Sequence, residues 1–368
     1  MKYWRGYLVA AIVMLCNWAL IQFCAAHTQL VDMIYPYVDR IIMDYLANWS
    51  ANFEGCLWQM GLIFLMVMLI ASVVLMIILR WNPVQWLGWV LTAVSVLVLL
   101  NTGIYGLNEY AGSIAEDVRL NVNEYSVGSL ERAAGYYGKM ASDYAKKMPR
   151  KNGQLVFADF DSLNTQAAEG FHTLTYQETI PIFSGSTGPV KELGWLNRYD
   201  GVTGMTVGIT GESAVNPNVP TVGMPFAICH EMMHRMCVYS HSDADFGAFL
   251  ACTYNSSEEF QYAGYLMAFR SCYNALADIQ TDLGRDALDR VMGNVDSRVM
   301  DDLAEYNSFF GEKAQDVDAE FTNLLVSWHV QNIAQYDEDG EEDDAFDPLD
   351  ETDERFKDIL EDYLSGGA

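Results

Sequence analysis

In a chain with only six histidines, one run places two of them four residues apart with a glutamate after the first: Pro225-Phe226-Ala227-Ile228-Cys229-His230-Glu231-Met232-Met233-His234. On a helix, residues i and i+4 share a face, so both imidazoles can reach one metal ion. Glu231 lies about 100° further round, within reach of a water held by that ion. The chemistry this pattern serves is metal-assisted hydrolysis. Zn²⁺ lowers the pKa of bound water toward ~7, and the carboxylate takes the proton. Such a site needs a third protein ligand and an open fourth position. His241 stands seven residues after His234, and Asp243 nine. Either can bind once the helix turns a corner near Tyr239. His241 is the preferred third ligand and Asp243 the alternative, although Asp243 also suits a helix N-terminus. Asp245, one turn after His241, is placed to steady the site from behind. His27, His172 and His329 are isolated and read as structural or surface residues.

Hydrolysis of a peptide bond also needs a second donor for the developing oxyanion. Tyr262, Tyr265 and Arg270 are the candidates, against the plainer reading that aromatic residues at helical spacing belong to a core. Glu212 and Asn216 are candidate substrate contacts, or simply turn formers in a Pro- and Gly-rich stretch.

The elements that must position these groups are mostly helical. Helices are expected over 129–148, ending at Pro149, and over 162–178, from Pro225 to about Tyr239, over 243–253 and over 258–278. Ser256 and Glu259 have the spacing of a capping box for the last of these. Residues 296–335 read as a long helix or a broken pair. Thr203–Ile209 is the best strand in this part of the chain, and its edge can take an extended peptide. The stretches 185–188 and 211–223 read as loops. Asp337–Glu354 is an acidic run expected to be a solvated linker, followed by a short helix over 355–364.

Three uncharged apolar runs precede all this, over 7–26, 57–79 and 84–105, each long enough to span a hydrocarbon core of ~30 Å. Trp4, Trp18, Trp49, Trp58, Trp81, Trp86 and Trp89 cluster in and around them, as expected at a membrane interface. The first run can also be read as a cleaved signal peptide; its full spanning length favours a retained helix. Lys2 and Arg5 precede the first run and Arg80 lies between the last two, which puts the N-terminus in the cytoplasm and the segment after 105 outside. Residues 27–56 then form an external loop. Residues 1–107 balance Lys2, Arg5, Arg40 and Arg80 against Asp32, Asp39, Asp44 and Glu54, so the whole net charge of −28 falls on the remainder. That acidity excludes nucleic acid as a partner. Seven scattered cysteines with no CxxC pair indicate neither a disulfide framework nor a zinc ribbon.

With these pieces in view, residues 204–276 resemble the domain-of-unknown-function family 3810 of bacteria. The matching stretches are Gly211-Glu212-Ser213-Ala214-Val215-Asn216, Pro225-Phe226 leading into His230–His234, Asp243-Ala244-Asp245-Phe246, Tyr254, and Tyr262-Ala263-Gly264-Tyr265-Leu266. Asn101–Asn108 at the exit of the third run is similar to the family's segment there. The resemblance implies a membrane-anchored zinc peptidase without naming a substrate. Where the family carries Glu-x-Glu-Ala-Asn, this chain has His241-Ser242-Asp243-Ala244-Asp245, with His at the usual position of a gluzincin-type Glu ligand.

The expected architecture is therefore mainly α: a membrane region over 1–107, a mostly helical zincin-like metallopeptidase domain with a small β element over 108–336, and an acidic tail over 337–368. The expected function is zinc-dependent peptide hydrolysis at the cell membrane, with the catalytic domain extracytoplasmic and the lipid bilayer and a peptide or protein substrate as partners. The alternative is a catalytically inactive zincin-fold sensor or scaffold. An intramembrane protease is excluded by Arg235, Ser240 and Asp243 flanking the motif.

Overall fold

The computed structural model describes residues 2–185, 187–194, 201–311 and 315–334. The acidic run and the helix expected over 355–364 lie outside the described residues.

The three apolar runs are the helices α1 (Arg5–Ala26), α3 (Leu57–Ile78) and α4 (Pro83–Ile104), each long and apolar enough to cross a membrane. The turn between α3 and α4 puts Arg80 at φ 53, and Asn82 then caps α4 by accepting from Val84 N and Gln85 N, with Pro83 in the first turn. α1 and α4 touch backbone to backbone. A Cβ on Gly6 would stand 2.4 Å from the Gly88 carbonyl carbon, and Thr92 Oγ1 donates to Gly6 O at 2.8 Å. Small residues and a hydroxyl are what association needs where burial drives nothing. α3 meets α4 near the turn, where Trp86 Nε1 donates to Ser72 Oγ at 3.2 Å.

The external loop expected over 27–56 is instead largely helical. Helix α2 (Thr28–Ser50) begins one residue after α1 ends. Its apolar residues recur at helical spacing, but Pro36 and four charges interrupt the run that would have marked it.

Beyond α4 the short α5 (Ile114–Asp117) leads to α6 (Val127–Lys147), which packs along α10 (Glu258–Asp278) at the centre of the helical body. Around them stand α7 (Phe160–Tyr176), α8 (Met224–Arg235), α9 (His241–Thr253), α11 (Asp282–Met292), α12 (Ser297–Phe310) and α13 (Ala319–Asn332). The region after 296 is thus the broken pair, with Gly311 at φ 59 ending α12. α7 and α9 come within backbone contact at Gly170, where a Cβ would meet Ala251 O at 1.9 Å.

Two small sheets complete the fold. β1 (Arg150–Lys151) and β2 (Gln154–Leu155) form a hairpin on Asn152-Gly153, both at positive φ. The second sheet has the order β3-β5-β4, with β3 (Lys191–Glu192) parallel and β4 (Gly204–Val207) antiparallel to the central β5 (Glu212–Val215). β4 falls within the expected strand. β5 corrects the loop expected over 211–223: four residues opening on Glu and Ser carry too little β signal by themselves, and pairing on both sides makes the strand. The capping box is a second correction. The N-cap of α10 is Ser257, and Glu259 Oε1 instead accepts from Ala158 N at 3.0 Å.

Candidate metal centre

Helix α8 starts with Pro225 in its first turn and buries every residue from there to Arg235. It packs on β4 and β5, and those strands hold its glutamate. Thr206 Oγ1 donates to Glu231 Oε2 at 2.7 Å, and Ser213 Oγ donates to Glu231 O at 2.8 Å. Gly204 leaves the space for the carboxylate, since a Cβ there would stand 2.5 Å from Glu231 Oε1. Burial lifts the Glu231 carboxyl to about 6, with His230, Thr206 and Arg235 pulling the other way. A buried base poised near neutrality suits proton abstraction.

The corner after α8 is a Schellman turn without glycine. Val238 N donates to Met233 O and Cys237 N to His234 O, while Cys237 itself takes φ 71. The turn delivers the Val238 carbonyl to His234 Nδ1 at 2.7 Å. Ser240 then caps α9, whose first residue is His241.

Three imidazoles meet between these helices. His241 Nδ1 lies 3.2 Å from His234 Nε2 and 3.4 Å from His230 Nε2. His230 Nδ1 is tied from behind by Asp245 Oδ1 at 2.6 Å. With Nδ1 of His230 and His234 held by acceptors, both rings carry their proton there, and their Nε2 lone pairs face the gap. Ring nitrogens around Zn²⁺ at 2.0–2.1 Å in a tetrahedron stand about 3.4 Å apart, so this donor set fits the ion. Among the described residues these three form the group able to hold a metal. Burial and the neighbouring His230 hold His234 well below the usual imidazole range, and burial lowers His241 too. Burial also acts downward on His230, but the Asp245 carboxylate outweighs it and the net shift is upward.

The gap opens on a cavity of about 220 Å³ lined by His230, His241 and Asp245 together with Arg270, Phe226 and Phe310. Arg270 is thus the one proposed oxyanion donor at the cavity. Its Nε donates to Asn307 Oδ1 at 2.9 Å, and its guanidinium lies over the Tyr306 and Phe310 rings. Tyr262 is elsewhere, its hydroxyl donating to Asp302 Oδ2 within the core. Tyr265 is buried, its ring stacked on Tyr144. Asp243, the alternative third ligand, accepts from Ser113 Oγ at 2.7 Å outside the imidazole group. Glu212 is a clamp: it accepts from Leu57 N at 2.7 Å, Trp58 N at 2.8 Å and Lys191 Nζ at 2.6 Å. Asn216 is fully buried and shapes its own turn, donating to Val202 O and accepting from Asn218 N.

Sequence reasoning missed Gly204 and Thr206 as partners of Glu231. Strand alternation was the available signal, because residues two apart on a strand face the same side.

A family model described as a protein of unknown function (DUF3810) matches residues 31–329. No curated protein and no solved structure matches the chain.

Proposed function

This chain belongs to the DUF3810 family, and from the geometry of its own site we propose that it is a membrane-anchored, zinc-dependent metallopeptidase. The observation that carries this reading is the convergence of the His230, His234 and His241 ring nitrogens beside a buried carboxylate at position 231.

His230, His234 and His241 would hold the ion. When bound, Zn²⁺ supplies Lewis acidity that makes water a nucleophile near neutral pH and polarises the scissile carbonyl. Glu231 accepts the proton of the attacking water and passes it to the leaving amine. Thr206 fixes the rotamer in which it does so. Asp245 and the Val238 carbonyl lock the tautomers of the two helical imidazoles. Arg270 brings positive charge to the cavity wall, where an oxyanion develops. Among the described residues β4 lies at one edge of its sheet, and Thr203 beside it lines the cavity, so an extended peptide can add to β4 by main-chain hydrogen bonds.

The test pairs metal content with cleavage of a peptide library by the purified full chain. The native protein is expected to hold one zinc and to lose cleavage with a chelator. Glu231→Gln is expected to keep the zinc and lose hydrolysis by a factor on the order of 10²–10⁴. Activity surviving in Glu231→Gln removes the assigned base. A zinc-loaded native protein inert on every peptide leaves the sensor or scaffold reading in its place.

A further inference from the structure

Helix α2 packs one face on protein and, among the described residues, leaves the other largely exposed. Its inner face buries Asp39, Met43, Ala47 and Ser50. From that face Arg40 Nε donates to Met236 O at 3.1 Å, and the Cys237 thiol lies 3.4 Å from Asp39 Oδ2. A Cβ on Gly211, at φ 64, would stand 2.6 Å from Leu46 Cβ. The outer face carries Leu30, Met33, Tyr37, Ile41, Tyr45 and Trp49, spaced three or four apart and all exposed, Ile41 at 73% and Tyr45 at 71%. Water-facing surfaces of monomeric proteins rarely present so long an apolar stripe.

What covers it follows from where the ends of α2 are tied. Its first residue follows Ala26, the last of α1, by a single residue, His27. Tyr35 OH donates to Gly103 O in the last turn of α4. At its C-terminus Lys191 Nζ donates to Ser50 O, the last carbonyl of the helix, and beyond it to Gly55 O, and the same lysine bonds Glu212, which holds the first amides of α3. The helix, about 34 Å long, therefore runs between the ends of apolar helices that can cross a membrane, on the side where they meet the helical body. A helix fixed there with a continuous apolar stripe lies in the lipid boundary, burying that stripe about 5–10 Å deep. Tyr37, Tyr45 and Trp49 are the side chains that favour this depth. Arg40 is its one cation and faces Met236, so the attraction is to apolar lipid and not to anionic headgroups.

We propose that α2 lies in the plane of the bilayer, its Leu30–Trp49 stripe sunk into the headgroup–acyl boundary of a zwitterionic lipid surface. It is then a platform: Arg40 and Asp39 hold the Schellman turn that orients His234, so the imidazole cluster stands at a fixed short distance from the lipid. The proposal rests on α1, α3 and α4 being membrane spans and is independent of any peptidase activity.

The experiment uses the full chain in phosphatidylcholine nanodiscs, with a nitroxide introduced through Ile41→Cys or Tyr45→Cys. The background is Cys16→Ser, because the remaining native cysteines are buried. Ile70→Cys on α3 and Leu283→Cys on α11 serve as lipid and water references. Collision rates with oxygen and with a water-soluble nickel chelate are compared. The oxygen-to-nickel ratio at 41 and 45 is expected to be several-fold above that at 283 and below that at 70. Ratios equal to that at 283 overturn the proposal. So do low rates with both reagents, which would mean that protein, such as a second copy, covers the face. A water-like ratio at 70 as well removes the span reading and the proposal with it, whereas a lipid-like 70 with water-like 41 and 45 removes the proposal alone.

Discussion

Two buried clusters of titratable side chains lie in the helical body, and they are built on opposite plans. Around Asp302, the terminal nitrogens of Arg150 donate to both carboxylate oxygens at 2.7 and 2.6 Å, and Tyr262 donates to one of them. Both carboxylate oxygens, the two terminal guanidinium nitrogens and the phenol are paired with one another, and Arg150 Nε alone is buried without a partner among the described residues. Around His230, His234 and His241, the outward nitrogens of the two helical rings are satisfied by Asp245 and Val238, while the inward ones face each other. A proton on His241 Nδ1 can serve only one of the two Nε2 atoms well at a time, so without a cation between them this set is less fully paired than the first. The first cluster holds elements together. The second is ordered from behind, with its ring nitrogens gathered where a metal ion could sit.

Removing one member of each cluster should therefore produce opposite signatures. Asp302→Ala leaves the Arg150 guanidinium, only 17% exposed, without its carboxylate. Loss of about 3 kcal/mol is expected, the low end for a broken buried pair because Arg150 retains some contact with water. The thermal midpoint of the purified protein should fall by several degrees, with zinc stoichiometry unchanged once refolded material is selected. Zinc loss in a folded Asp302→Ala protein would mean that the two clusters are not independent.

Asp245→Ala reverses the pattern. The helix around it stays packed, but His230 loses the acceptor that fixes its tautomer. Zinc affinity is expected to weaken about 10–100-fold, read by competition with a chromophoric chelator, while the thermal midpoint of the metal-free protein moves little. A large fall in metal-free stability with no change in affinity would assign Asp245 to the structural class instead.

How much of this contrast was legible beforehand depended on whether spacing alone carries the information. His230 and His234 are one helical turn apart, so their shared face follows from the helix itself, as does the length of the three apolar runs. His241 needed more: its approach depends on a left-handed residue at Cys237, and no glycine advertised it. Tyr262 and Tyr265 lie on α10, which is buried nearly all round, and periodicity gives no direction to a helix without an exposed face. Glu212 sat in a stretch that read as a loop, and its partners at Leu57, Trp58 and Lys191 are distant in sequence. Helix α2 had the spacing but not the uninterrupted apolarity, because its inner face carries the polar groups that grip α8.

One of those groups makes a third, intermediate cluster and gives the smallest expected effect. Asp39 Oδ2 accepts from Asn108 Nδ2 at 2.6 Å, yet Asp39 Oδ1 and Asn108 Oδ1 are both buried without a partner among the described residues. Burial lifts the Asp39 carboxyl to about 6, against the hydrogen bonds from Asn108 and Cys237 that pull it down. A carboxyl raised in the fold above its ordinary 3.8 stabilises the fold below that value and loses the contribution as pH rises through about 6. At neutral pH the ionised group is a burden. Asp39→Asn cannot ionise, and it places an N–H donor where two unpaired oxygens are buried. It forfeits the charge-assisted bonds the carboxylate receives, so the net gain is expected to be about 1 kcal/mol above pH 7. The gain should shrink as pH falls below about 6 and be lost near 3.8, where the acid is neutral in the unfolded chain as well as in the fold. Thermal midpoints of the two proteins between about pH 3.5 and 8 test this. A gap that is constant with pH would show that Asp39 does not titrate in that range.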